Sequence, residues 1–279
     1  MKIIDSQVHI WAANTPARPW AENSHAQMEV PLSANALSKV MDEAGVTQAI
    51  LVPPALEGDR NDLALAAAQA QPDRFAVMGR IRLEDPASPA RFMGWKDQPG
   101  MLGVRLTFHR DVDRAQIDNG VADWFWTAAE RQGVPVMVHA PERLAQVGDI
   151  ARRHPGLVIM VDHMGFARET MDGAAVAGAG RILELADLPN VYVKVSAAPC
   201  FSSQTYPFRN LHDPLRRIID GFGVERCFWG TDYSRLPAHC TYRQAVTMFT
   251  EELGLSNSDI EWVMGKSIAK VLGWPVVKP

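Results

Sequence analysis

Four side chains able to do chemistry stand where short apolar runs end. They are His9 after Ile3-Ile4-Asp5-Ser6-Gln7-Val8, His139 after Val136-Met137-Val138, His163 in Asp162-His163-Met164-Gly165, and Asp232 in Trp229-Gly230-Thr231-Asp232-Tyr233. A carboxylate and imidazoles gathered in one place suit hydrolysis of an activated carbonyl. The carboxylate takes a proton from water as it attacks the carbonyl carbon, and imidazole N–H groups hold the oxygen on which negative charge develops. In that scheme Asp232 is the general base, His163 the first choice for polarising the carbonyl and His9 the second, with His139 completing the group. The alternative for His163 is an orienting role, donating only to a neighbouring backbone carbonyl. A lone histidine in an apolar run is usually a packed core residue, so it is the repetition at several strand ends that argues for a shared site.

Around these residues lie candidates for binding. Residues two apart in a strand share a face, so Gln7 and His9 project together, with Asp5 expected beneath them. Arg105 sits on an apolar run that leads to His109 and Arg110. Its guanidinium fork suits a substrate carboxylate, and equally an interior salt bridge to a barrel carboxylate. Arg110, beside Asp111 and Asp113, reads as a solvated ion pair. Trp11, Trp20, Phe108 and Tyr233 either wall a pocket or cover the top of the domain, whereas Trp124, Phe125 and Trp126 fall in a helical stretch and read as packing.

What must position these groups is a series of βα units. Apolar, β-branched runs at 3–11, 48–52, 75–83, 103–108, 134–139, 157–163, 191–196 and 227–232 alternate with helix-sized segments. One helix starts after Ser33, a capping residue, and stops at Gly45; others cover about 61–70 and 124–131. Eight such units with right-handed crossovers close as a single (β/α)8 barrel over 1–279, a size one barrel domain commonly fills. Active sites of this fold lie at the C-terminal ends of the strands, where the four residues fall. The long irregular segment 12–32 follows the first strand and is expected to serve the site. Residues 258–272 carry apolar side chains at helical spacing, and their Gly265-Lys266-Ser267 is structural, lacking the upstream glycine and strand of a phosphate loop.

A net charge of −4 argues against a nucleic-acid surface. There is no basic-then-apolar leader and no run of about 20 apolar residues, so a cytoplasmic protein without membrane partners is expected. Cys200, Cys227 and Cys240 are odd in number and widely spaced, hence reduced thiols. The expected partner is a small molecule, and a homo-oligomer is compatible with the sequence.

The opening strand resembles that of the amidohydrolase superfamily, where an aspartate precedes a His-x-His pair; here the pair reads Gln7-Val8-His9. Val138-His139, the Asp-His-x-Gly at 162–165 and Trp229-Gly230-Thr231-Asp232 resemble the amidohydrolase-2 group along nearly the full chain. The Asp-x-x-x-His-x-Trp opening and Arg18-Pro19-Trp20 are most similar to sugar lactonases and 2-pyrone-4,6-dicarboxylate lactonases. The resemblance implies His9, His139, His163 and Asp232 as site residues and opening of a small carboxylated or sugar-derived lactone. Its enzymatic alternative is decarboxylation of an unsaturated or aromatic acid, and its non-enzymatic alternative a barrel that binds a metabolite. Relatives that use a metal take two nitrogen ligands from the first strand, and a carboxamide is a poorer zinc ligand than imidazole. The expectation is therefore metal-independent catalysis, with Gln7, His9 and His163 around the carbonyl. The alternative is one zinc or manganese ion held by His9, His139 and Asp232.

Overall fold

The β-branched runs form eight short strands in the computed structural model, which describes residues 1–275. They are β1 (Ile4–Val8), β2 (Gln48–Leu51), β3 (Phe75–Gly79), β4 (Met101–Thr107), β5 (Val136–His139), β6 (Ile159–Val161), β7 (Val191–Ser196) and β8 (Cys227–Gly230). Each pairs in parallel with the next, in sequence order. The result is the expected (β/α)8 barrel, nearly closed, with helices between the strands. Both strand faces are covered, which is why the strands read as continuous apolar runs. One face packs outward in a layer containing Leu51, Val77, Val104, Val138, Val161 and Val193. The other fills the barrel floor with Ile4, Ile50, Met78, Met137, Met160 and Phe228.

The seam between β8 and β1 is held by side chains as well as backbone. The Asp232 N–H donates to the Gln7 carbonyl at 2.8 Å, and the Thr231 N–H to Asp5 Oδ1 at 3.0 Å. Asp5 Oδ2 accepts from the Tyr242 hydroxyl at 2.6 Å and from the Thr231 hydroxyl. This corrects the expectation that Asp5 lies beneath Gln7 and His9. Between Asp5 and Val8, β1 takes three steps where β2 takes two, a bulge that changes the phase of the alternation. Ile4, Gln7 and His9 face the interior, Asp5 turns to the strand–helix layer, and its carboxylate accepts the Gln7 N–H at 2.9 Å.

Strands β3, β6 and β8 stop two to four residues short of the apolar runs that contain them, because the chain leaves the sheet to build the mouth. His163, Met164 and Asp232 have positive φ of 52°, 57° and 51° there. Such a conformation costs non-glycine residues energy and is typical of sites that hold side chains in fixed directions. The helix Ala34–Ala44 begins and ends as expected, with Ser33 Oγ accepting the Ala36 N–H and Gly45 at φ 77°. Phe125 and Trp126 are buried in the helix Asp123–Arg131, against Phe92 and Phe108.

The C-terminal helical region is interrupted by a wide turn over Trp262–Lys266. A side chain at Gly265 would sit 2.8 Å from the Lys2 carbonyl, and Ser267 Oγ donates to the Val224 carbonyl at 2.7 Å, so this glycine-lysine-serine run serves packing. Arg18 pins the segment after β1 through Glu57 and Asp62, both at 2.8 Å. The three cysteines are free thiols. Among the described residues no helix is long and apolar enough to cross a membrane.

Candidate active site

A cavity of about 490 Å³ opens at the C-terminal end of the barrel, and His9, His139, His163 and Asp232 all line it. His9 comes from the end of β1. Its Nδ1 lies 2.6 Å from the Val52 carbonyl oxygen, which can only accept, so this nitrogen carries a proton. Its Nε2 is thereby aimed at Asp232 Oδ1, 3.0 Å away. The other oxygen, Asp232 Oδ2, lies 3.9 Å from both His163 Nε2 and Arg235 Nη1, too far for a hydrogen bond. One carboxylate oxygen is therefore in contact with His9 and the other opens on a gap between an imidazole and a guanidinium.

His163 is set by the strained turn after β6 and by β7, whose Ser196 Oγ is 2.8 Å from its Nδ1. Burial pushes its pKa down to about 4 despite the nearby Asp232, so the ring is neutral at neutral pH. Ser196 Oγ can donate to Nδ1 or accept from it; where it donates, the proton of the neutral ring stands on Nε2, facing the cavity. His139 is also pushed well below the usual histidine range, first by burial and then by His163 and Arg105. Its Nε2 is 3.2 Å from the Phe166 carbonyl, and its ring meets that of His163 edge-on at 5.4 Å. Burial alone would raise the Asp232 carboxyl, but the adjoining His9, with smaller contributions from the neighbouring His163 and Arg235, outweighs it and holds Asp232 below the usual carboxylate range.

Arg105 is an interior ion pair, its Nε 3.0 Å from Asp162 Oδ2, and it also lines the cavity. Asp162 receives a second cation at 2.9 Å, the ammonium of Lys194. Lys194 and Asp162 are completely buried, and Lys194 also donates to Gln7 Oε1. Gln7 thus lies under the site against Lys194 and does not form part of the cavity wall. Arg110 is the expected ion pair, bound to Asp113 through two nitrogens at 2.7 and 2.9 Å. Trp11 and the exposed His109 line the cavity. Trp20 and Tyr233 do not: the Trp20 indole donates to the Ala12 carbonyl, and Tyr233 stacks on Tyr242 at 5.0 Å.

The sequence reading missed Lys194, Ser196, Arg80 and Arg235. Tyr192, Lys194 and Ser196 alternate on the inward face of β7, and a lysine in that phase of a strand buried on both sides was an available signal. Arg80 follows the end of β3, lines the cavity and has no carboxylate partner among the described residues; its nearest acceptors are the Gly58 carbonyl and Thr107 Oγ1.

A catalytic zinc ion takes three protein ligands. His9 Nε2 and Asp232 Oδ1 converge, but among the described residues no three His, Cys, Asp or Glu side chains form a group able to hold a metal. The third candidate, His139, has its Nε2 at Phe166, and the Gln7 oxygen is taken by an ammonium. As they stand, His9, His139 and Asp232 do not present three donors to one point.

The chain belongs to the amidohydrolase family, whose model matches residues 4–274, and is a hydrolase by that membership. L-fucono-1,5-lactonase from Burkholderia ambifaria is 25% identical over 240 residues, covering 85% of this chain and 82% of that protein. Two crystal structures share the fold along its length. An amidohydrolase from Burkholderia multivorans with bound zinc matches with a TM-score of 0.82 at 22% identity, covering 99% of this chain and 100% of that one. A probable 2-pyrone-4,6-dicarboxylic acid hydrolase from Acinetobacter baumannii with bound citric acid matches with a TM-score of 0.80 at 17% identity, covering 98% and 100%.

Proposed function

We propose that this amidohydrolase opens a small carboxylated or sugar-derived lactone by direct attack of water, without a metal ion. The observation that carries the reading is the pairing of an ionised Asp232, one oxygen held by His9 and the other facing a gap, with a neutral His163 on the far side of that gap. Lactone hydrolysis in the L-fucono-1,5-lactonase relative supports the reaction class.

Asp232 Oδ2 takes a proton from water as the water oxygen bonds to the carbonyl carbon. His163 Nε2–H donates to the carbonyl oxygen as it becomes an oxyanion. When the tetrahedral intermediate collapses, the ring C–O bond breaks and the departing oxygen takes the proton back from Asp232. His9 keeps Asp232 ionised and oriented between turnovers. His139 packs against His163 and holds its ring. Arg105, fixed by Asp162, and the neighbouring Arg80 offer their remaining donors to a substrate carboxylate on the opposite wall.

The test is Asp232→Asn, which keeps the volume of the side chain but cannot take the proton. Turnover should fall about a hundredfold or more with melting close to the parent. Near-normal activity in this variant removes Asp232 from the mechanism. A lactone panel followed by proton release measures ring opening; carbon dioxide from an unsaturated or aromatic acid would replace lactone hydrolysis by decarboxylation.

A further inference from the structure

We propose that Arg235 is the anchor for the carboxylate that ring opening creates, an assignment that rests on the lactone-hydrolysis reading above. Arg235 lines the cavity three residues after Asp232, and its Nη1 lies 3.9 Å from Asp232 Oδ2. The described residues give Nη1 no closer acceptor. Its plane is fixed from two sides: Nη2 donates to the Arg168 carbonyl at 3.3 Å, and the guanidinium lies over the Phe201 ring, 5.4 Å from its centroid. The side chain is nearly buried, at 12% exposure, so its unspent donors face the reacting volume rather than bulk water.

The reaction makes a charge where Arg235 points. Water adds its oxygen to the carbonyl carbon, the ring C–O bond breaks, and the ring oxygen leaves as a hydroxyl with the proton that Asp232 had taken. The carbonyl carbon has then become a carboxylic acid, which loses its remaining acidic proton to solvent. The site now holds two carboxylates, the product's and that of Asp232, and like charges at this separation disfavour each other. Arg235, held beside the gap between them, faces both. Its fork can take the new carboxylate through two nitrogens, which a lysine ammonium does not reproduce. Arg105 is not placed for this purpose, because its Nε is already given to Asp162 on the other wall.

The experiment is an NMR titration of the full-length parent, Arg235→Met, Arg235→Lys and Arg105→Lys with 5-hydroxypentanoate and, as its uncharged counterpart, 5-hydroxypentanamide. The parent should prefer the carboxylate. Arg235→Met should bind it about tenfold or more weakly and bind the amide unchanged, and Arg235→Lys should recover part of the loss. Equal carboxylate affinity in parent and Arg235→Met overturns the proposal, as does a parent with no preference for the carboxylate, or a loss that appears in Arg105→Lys instead. Arg235→Lys decides the matter should the methionine variant not fold. Opening of δ-valerolactone is followed separately. The expected affinity pattern in a chain that opens no lactone would refute the hydrolysis and keep the anion site, while ring opening without that pattern would refute Arg235 alone.

Discussion

His163 is buried with its ring neutral, and this makes stability depend on pH in a defined direction. In the unfolded chain the imidazole takes a proton near its ordinary value of about 6.5. In the fold it does so only near about 4. Between these two values the unfolded state binds more protons, so stability rises with pH through that window and is lost as the pH falls through it; above it, this residue contributes no slope. Moving from about pH 8 to about pH 5 should cost about 2 kcal/mol from His163 alone, at about 1.4 kcal/mol for each pH unit below about 6.5. His139 and His109 are depressed in the same sense, so the parent should lose more than this. Urea midpoints of parent and His163→Gln at the two pH values isolate the one residue. The variant is expected to be less stable at the higher pH, since it gives up the Ser196 bond, but its loss on acidification should be smaller than the parent's by about 2 kcal/mol. An identical loss in both proteins would refute the neutral, buried state of His163 and with it the N–H donor on which carbonyl polarisation depends.

Two further outcomes are expected. Arg105→Lys should raise KM for a carboxylated lactone more than it lowers kcat, because the charge is kept and the fork is lost; an unchanged KM would leave Arg105 as an interior ion pair only. Exhaustive chelation should leave turnover within about twofold of the untreated enzyme, whereas loss of activity restored by zinc or manganese would overturn metal-independent catalysis and return His9, His139 and Asp232 to the role of ligands.

The barrel was legible because each strand is buried on two faces and advertises itself as an apolar run, and because four polar groups broke those runs at equivalent places. Strand ends were less legible. Ile81 and Leu83 after β3, and Asp162 and His163 after β6, stay buried after leaving the sheet, so hydrophobicity does not mark where pairing stops. The phase of β1 was misread at Asp5 because a bulge leaves no trace in an alternating pattern, and only the partners Thr231 and Tyr242, more than 200 residues away, give it away. Trp20 and Tyr233 were grouped with the pocket on ring chemistry alone, and that chemistry is equally satisfied by a backbone carbonyl and by a stacked tyrosine.

The substitution at position 7 is best understood together with Lys194. Each residue is unremarkable in isolation, yet they meet in the barrel interior 187 positions apart, and the Gln7 oxygen accepts from the Lys194 ammonium. An imidazole whose nitrogen is given to a metal has no lone pair left for that ammonium, whereas a carboxamide oxygen does. A divalent ion at this place would in turn face a fixed cation across a low-dielectric interior, a repulsion that water cannot screen. Lys194 is held by Asp162, Asp162 also holds Arg105, and Arg105 reaches the cavity wall. Burial works against the charge of Lys194, and the Asp162 carboxylate, itself held below the usual range by Lys194 and Arg105 against its own burial, works for it. The same chain of contacts that occupies the Gln7 oxygen therefore also orients the guanidinium proposed to meet the substrate. On this argument restoring a histidine at position 7 alone would not create a metal site, because the ammonium would remain beside it.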